Sequence, residues 1–178
     1  RSASLTTGGF AYDDFLREAR VLAEDLVGRA DELKVIKDWL KSRAPHDDKA
    51  SRLGWLSGGP GVGKSMVMAK LAATYHQPKH RGLFYHRFRG GDARNSRRSF
   101  LRLLQAALWA WEPLSAHTEA PKEALDGQAL EDDVIERLEA LTALEPTHPK
   151  NPNLPAFWVL VDGLDEVVGS DTGLPMLL

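Results

Sequence analysis

The sequence contains no cysteine among its 178 residues, which excludes disulfide bonds, thiolate catalysis and cysteine-ligated zinc. It also lacks any apolar run approaching the roughly 20 residues that span a bilayer, and its first residues lack the apolar core of a signal peptide. Neither sign of charge dominates, because 23 basic residues face 25 acidic ones, so the chain has no global attraction to nucleic acid or acidic membranes. With 43% apolar residues it can bury a core, and we expect one soluble, cytoplasmic domain without a membrane segment.

One segment fits the phosphate-binding pattern G-x-x-x-x-G-K-[ST] at every defined position. It consists of Gly58, Gly59, Pro60, Gly61, Val62, Gly63, Lys64 and Ser65, and we call residues 58–65 the phosphate loop. Its glycines lack a Cβ, so backbone N–H groups can surround a dense negative charge. Lys64 can reach the β and γ phosphates, and the Ser65 hydroxyl can ligate Mg²⁺ where a helix dipole favours anions. The pattern predicts a nucleoside triphosphate site; the alternative is a chance glycine turn beside a lysine.

The segments around the phosphate loop predict the order strand, loop, helix. Leu53, Trp55 and Leu56 form a short apolar run that ends in Ser57, and residues 66–74 are rich in helix formers. This context favours the phosphate-binding interpretation over the chance turn, because a buried strand feeding a glycine loop and a helix is the arrangement that the motif requires.

The rest of the chain divides into a lead and one α/β domain. Residues 1–25 are predicted to be a flexible lead followed by an amphipathic helix, and residues 26–178 a partial nucleotide-binding domain. Helices are predicted at residues 13–26, 30–42, 96–111 and 128–144, and a strand at residues 82–89. Residues 112–155 are predicted to be an inserted loop, helix and loop, because proline-rich stretches flank the amphipathic run.

A second chemical motif is the apolar run at residues 156–162, which ends in Asp162. Such a run is typical of a strand buried on both faces of a parallel sheet, and its carboxyl end is where ligands bind. Asp162 is therefore the candidate carboxylate for Mg²⁺, which needs only one or two protein carboxylates. Asp165 and Glu166 follow closely enough to order or deprotonate a water aimed at the γ-phosphate. The alternative is an ordinary strand followed by a turn.

Residues 161–166 (VDGLDE) resemble the Walker B segment of the NACHT-type NTPases, within the STAND class of signal-transduction ATPases. Residues 26–33 (LVGRADEL) are similar to the h-h-G-R-x-x-E-L element that precedes the phosphate loop in STAND and Orc-like AAA+ ATPases. The resemblance implies that Val27, Gly28 and Arg29 border the base or the nucleotide, that residues 58–65, the Walker A loop, bind phosphates, and that Asp162 serves Mg²⁺. It also implies that Asp165 or Glu166 supports hydrolysis. Taken alone, residues 27–33 could instead be a helix start with a turn at Gly28.

The resemblance implies an α/β fold of the P-loop NTPase type, with three layers, α/β/α, around a parallel sheet of three principal strands. The chain would be truncated before the sensor strand and the helical lid, so further domains of a larger protein and self-association on activation are expected. The leading hypothesis is a switch that binds ATP (or ADP) with Mg²⁺ and hydrolyses slowly. The alternatives are an Orc-like AAA+ ATPase acting on DNA and a nucleotide-binding scaffold without turnover.

A cluster of arginines leaves the nucleic-acid alternative open without favouring it. It comprises Arg87, Arg89, Arg94, Arg97, Arg98 and Arg102, and we interpret it as a solvated loop and helix face rather than as a nucleic-acid contact or an arginine finger. His86 is predicted to be a packed histidine rather than a ligand, and Trp109 and Trp111 to pack against the core or the missing lobe rather than stack on bases. Residues 131–133 are predicted to be a charge cluster near a helix start.

Overall fold

The computed structural model describes residues 6–7, 10–41, 54, 56–75, 81–91, 95–111, 114, 118–120, 125–143 and 156–164. Within these residues the chain is a mixed α/β structure with five helices and two small sheets. The helices are α1 (Tyr12–Glu24), α2 (Ala30–Lys41), α3 (Lys64–Tyr75), α4 (Arg97–Ala110) and α5 (Gly127–Ala143). The strands are β1 (Thr6–Thr7), β2 (Phe10–Ala11), β3 (Arg81–Arg87) and β4 (Ala156–Asp162).

The two long strands form a parallel pair. Their register runs from Arg81 opposite Ala156 to Arg87 opposite Asp162, so both strands end at the same edge of the sheet. Parallel neighbours need a long crossover, and the chain between β3 and β4 contains α4 and α5. This pairing confirms a parallel sheet and brings the last residues of both strands side by side.

Helices cover both faces of this pair. Tyr75 of α3 lies 4.9 Å from Trp158 between ring centroids, whereas Phe84 lies 5.4 Å from Phe100 of α4. Trp158 is opposite Leu83, the neighbour of Phe84 along β3, and neighbouring residues of a strand point to opposite faces. The side chains of the sheet therefore hold α3 on one face and α4 on the other.

The main core surrounds β3, whose side chains at residues 82–86 are all buried. His86 is fully buried, with the rings of Phe15, Phe88 and Phe100 at centroid distances of 5.2, 4.4 and 5.2 Å. Trp111 is also buried and its ring lies 5.7 Å from that of Phe157. Both residues belong to the packing, as the sequence predicts, and α1 contributes to it through Phe15.

The strand predicted before the phosphate loop is absent from the described residues of that segment. Gly54 and residues 56–59 form no strand, so the described sheet has two parallel strands where three were expected. A Cβ on Gly54 would lie 2.7 Å from the Trp39 ring, so this residue packs closely on α2. Leu53 and Trp55 lie outside the described residues. In the lead, the two-residue strands β1 and β2 pair antiparallel, with Thr6 opposite Ala11.

Candidate functional site

The phosphate loop ends at the N-terminus of α3, as predicted. The first hydrogen bond of the helix runs from the Val67 N–H to the Gly63 carbonyl, at 3.0 Å. The amides of residues 64–66 come before it, at helix positions that have no intrahelical acceptor and that favour an anion. Gly61 and Gly63 have φ of 74° and 89°, a left-handed conformation that glycine adopts without strain. The loop thus brings left-handed glycines to the start of a helix whose first amides have no intrahelical acceptor.

Lys64 is held over the loop by the loop's own backbone. Its Nζ donates to the carbonyls of Gly58 and Gly59 at 2.7 and 3.0 Å. A Cβ on Gly58 would lie 3.0 Å from Cγ2 of Val62, so a side chain there would crowd the closed loop. The ammonium group is therefore already placed among the residues that would surround a phosphate, and a polyphosphate would compete with two carbonyls for it.

The turn at residues 27–29 reaches the phosphate loop. The Arg29 Nη2 donates to the Val62 carbonyl at 2.7 Å, and its Nη1 donates to Glu32 Oε1 at 2.6 Å. The hydrogen bond from Arg29 is the main reason that the pKa of the Glu32 carboxyl lies below its ordinary value. Val27 is 90% exposed, so its apolar side chain is available to a ligand. The structure thus brings two segments together that lie far apart in the sequence.

The same turn is strained. Gly28 has φ of 79° and Arg29 has φ of 61°, and Arg29 is the only residue other than glycine with a positive φ in the described part of the chain. The left-handed conformation costs a residue with a Cβ about 1–2 kcal/mol. The ion pair with Glu32 is solvent-exposed on both sides, and such pairs contribute little to stability.

The packing of α3 on β4 places the end of β4 near the start of α3. Tyr75, the last residue of α3, contacts Trp158, and Leu160 packs against a buried cluster that includes the middle of α3. That cluster consists of Leu33, Val67 and Leu71. The helix α3 and the strand β4 therefore run antiparallel. From the contact between Tyr75 and Trp158, α3 extends roughly 16 Å back to its first residue, and β4 extends roughly 13 Å forward to Asp162. The two lengths are similar. Asp162 and the phosphate loop lie at the same end of this layer.

Asp162 is a buried carboxylate at the end of β4, 7% exposed. Its Oδ2 lies 3.5 Å from the Arg87 Nε, and an Arg87 Nη lies 3.8 Å from a carboxylate oxygen of Glu18 in α1. The Phe88 N–H donates to the Asp162 carbonyl at 2.9 Å, which fixes the backbone at this point. The side chain and the main chain of Asp162 are therefore both held by residues at the end of β3.

Gly163 completes this arrangement. It has φ of 73°, and a Cβ on it would lie 2.4 Å from the Phe88 carbonyl oxygen. A real side chain never approaches a backbone atom so closely, so only glycine fits after Asp162. Neither Gly163 nor the contact between Arg87 and Asp162 was expected from the sequence. Both depend on the register of β3 and β4, which ends the two strands at one edge of the sheet.

The residues present fit a magnesium nucleotide. The phosphate loop offers backbone amides and an ammonium group, and Ser65 and Asp162 lie at the same end of the α3–β4 layer with the hydroxyl and carboxylate oxygens that Mg²⁺ prefers. Asp165 and Glu166, the predicted catalytic acids, lie outside the described residues.

The arginine cluster is largely engaged within the chain. Arg97 pairs with Glu131, Arg98 with Asp126 at 3.0 Å, and the Arg102 guanidinium donates to the Leu125 carbonyl. These contacts join the starts of α4 and α5, which supports the interpretation as a structural and solvated surface. Arg94 lies outside the described residues.

The acidic run at residues 131–133 is also engaged in contacts within the chain. Asp133 accepts from Arg137 at 2.7 Å and from Gln105 at 2.6 Å, while Glu131 pairs with Arg97. The run thus joins α5 to α4 through Asp133 and Glu131.

None of the helices in the described ranges is long and apolar enough to cross a membrane.

Comparison with known proteins identifies the family. The model of the family described as "Nephrocystin 3, N-terminal" matches residues 32–178, which is most of the chain and includes the phosphate loop and Asp162. No curated protein and no solved structure matches the chain significantly. The chain therefore belongs to the nephrocystin 3 N-terminal family.

Proposed function

We propose that this chain binds a nucleoside triphosphate with Mg²⁺. The observation that carries the proposal is the phosphate loop, in which left-handed glycines, the start of α3 and the Lys64 ammonium group converge on one small region. Those are the three attractions that a polyphosphate needs, namely backbone donors, a helix dipole and a point charge.

The roles of the residues follow from their chemistry. Lys64 would exchange its two loop carbonyls for phosphate oxygens, and the amides at the start of α3 would donate to the same group. Ser65 and Asp162 would hold Mg²⁺, which supplies positive charge against the β and γ phosphates. Val27, Gly28 and Arg29 would border the base or the nucleotide, since Arg29 already contacts the loop and Val27 offers exposed apolar surface.

We further propose that the chain is part of a NACHT-type ATPase of the STAND class, in which ATP or ADP binding switches a larger cytoplasmic assembly. The sequence resemblance at residues 26–33 and 161–166 supports this, together with the parallel pairing that ends β4 at Asp162. Asp165 and Glu166 would support slow hydrolysis, and self-association through further domains would be the output.

A ligand-dependent melting experiment tests the binding site. Saturating Mg²⁺-ATP at 100 times its dissociation constant adds about 2.7 kcal/mol to stability, which is a rise of about 5–10 °C in Tm for a chain of this size. We expect Lys64→Ala to abolish the rise. Because Lys64 also bonds the loop carbonyls, its loss can change the ligand-free Tm, so the ligand-induced difference is compared within each variant.

Lys70→Ala is the matched control, since Lys70 lies on the same helix, six residues after Lys64. It should retain the full rise in Tm. An equal rise in the parent and in Lys64→Ala would refute the assignment of the phosphate loop, and so would the absence of any rise in the parent.

A further inference from the structure

The left-handed conformation of Arg29 calls for a physical reason. Glycine would adopt φ of 61° without strain, and yet this position has an arginine next to a glycine that is itself left-handed. Strained backbone of this kind persists where surrounding contacts fix it, and it is concentrated at functional sites. The exposed ion pair with Glu32 contributes too little to account for it. Among the described residues, the other hydrogen bond of the side chain is with the phosphate loop.

That contact fixes one peptide group of the loop. The Arg29 guanidinium donates to the Val62 carbonyl at 2.7 Å, across 33 residues of sequence. A trans peptide is planar, with its C=O and N–H on opposite sides, so fixing the Val62 carbonyl also fixes the Gly63 N–H. Gly63 has φ of 89° and accepts the first hydrogen bond of α3. Arg29 therefore sets the orientation of an amide at the point where the loop becomes a helix.

Glu32 sets the orientation of Arg29 in turn. Its carboxylate accepts from the second guanidinium nitrogen at 2.6 Å, and it lies in the first turn of α2. The Leu33 N–H donates to the Arg29 carbonyl at 3.0 Å, so the backbone of Arg29 is anchored in the same turn. The planar, forked guanidinium bridges two acceptors in fixed directions, which a lysine ammonium does not do.

We propose that Arg29 is a positioning residue of the nucleotide site, which holds the phosphate loop in its anion-binding conformation through the Val62 carbonyl. The inference rests on the proposed function and deepens it, because Arg29, which was expected to border the base or the nucleotide, receives a defined role in shaping the phosphate loop. It predicts that Arg29 acts on the phosphates rather than on the base. A change in the backbone of the turn at residues 27–29 would then change the conformation of the phosphate loop, and with it the affinity for phosphates.

The experiment measures stability and binding in the same variants. Arg29→Gly removes the guanidinium and the strain together, whereas Arg29→Lys keeps the charge and the strained backbone. Unfolding in urea gives stability, and calorimetric titration gives the Kd for Mg²⁺-ATP and for Mg²⁺-tripolyphosphate, which has no base. Arg20→Ala, an exposed arginine on α1, is the control.

For Arg29→Gly we expect stability equal to or above that of the parent, because the strained conformation is relieved. We expect both Kd values to rise by about tenfold, equivalent to about 1.4 kcal/mol. Arg29→Lys should bind both ligands with intermediate Kd values, and Arg20→Ala should match the parent.

Two results would overturn the inference while leaving the proposed function intact. One is a rise in Kd for ATP with no change for tripolyphosphate, which would make Arg29 a base contact. The other is a loss of stability with unchanged Kd values, which would make it purely structural. A parent that binds neither ligand would overturn the proposed function, and this inference with it.

Discussion

Substitution of Gly163 by alanine tests how tightly the end of β4 is built. The residue has φ of 73°, so a Cβ costs about 1–2 kcal/mol from backbone conformation alone. That Cβ would also lie 2.4 Å from the Phe88 carbonyl oxygen, so the two backbones must separate. Separation would weaken the 2.9 Å hydrogen bond from the Phe88 N–H to the Asp162 carbonyl, which contributes about 1 kcal/mol to stability. Overpacking by the Cβ adds about 1–3 kcal/mol to the loss of stability.

Gly91→Ala isolates the conformational part of this cost. Gly91 has φ of 77°, and no atom of the described residues lies within 4 Å of a Cβ built on it. We therefore expect a loss of about 1–2 kcal/mol for Gly91→Ala and at least about 3 kcal/mol for Gly163→Ala. Equilibrium unfolding in urea measures both, with the m-value checking that the two-state assumption holds. Equal losses for the two variants would refute the close approach of Gly163 to Phe88.

Two further predictions concern the charged side chains. Arg87→Met should destabilise the fold by about 1–3 kcal/mol in urea unfolding, because it leaves the buried Asp162 carboxylate without the guanidinium 3.5 Å away. The double variant that also carries Asp162→Asn should recover part of this loss, because the buried carboxylate charge is then removed as well. Strictly additive losses in the double variant would contradict that coupling. The chain should show no salt-dependent binding to duplex DNA in fluorescence anisotropy, because Arg97 and Arg98 already pair with acidic residues. Tight binding that weakens in Arg98→Ala would favour the DNA-acting alternative instead.

Local patterns predicted most of the elements. The apolar run at residues 156–162 coincides with β4 because it is bounded sharply by a proline and an aspartate. The start of α4 was predictable from Ser96, whose side chain accepts from the Ser99 N–H as an N-cap. The helix ends agree with the predicted ranges to within two residues. The small differences arise because amphipathic spacing identifies a helix but does not specify the residue at which it ends.

The contacts that build the candidate site were less predictable. The glycine pattern indicated a phosphate loop, but not that the Arg29 side chain would reach its Val62 carbonyl across 33 residues. Arg87 was grouped with a solvated arginine cluster, because its pairing with Asp162 depends on the register of two strands that lie far apart in sequence. Gly54 and Leu56, the described residues of the strand predicted before the loop, lie in no strand. A strand requires a neighbour for its hydrogen bonds, and an apolar run does not specify one.

The most direct test of the account is a crystal structure of this chain with Mg²⁺ and a non-hydrolysable ATP analogue. We predict triphosphate oxygens bonded to the backbone amides of the phosphate loop, with the Lys64 Nζ moved from the carbonyls of Gly58 and Gly59 to the phosphates. The metal ion should lie between Ser65 and Asp162. A well-ordered structure in which the analogue binds elsewhere, with Lys64 still bonded to its loop carbonyls, would contradict the account.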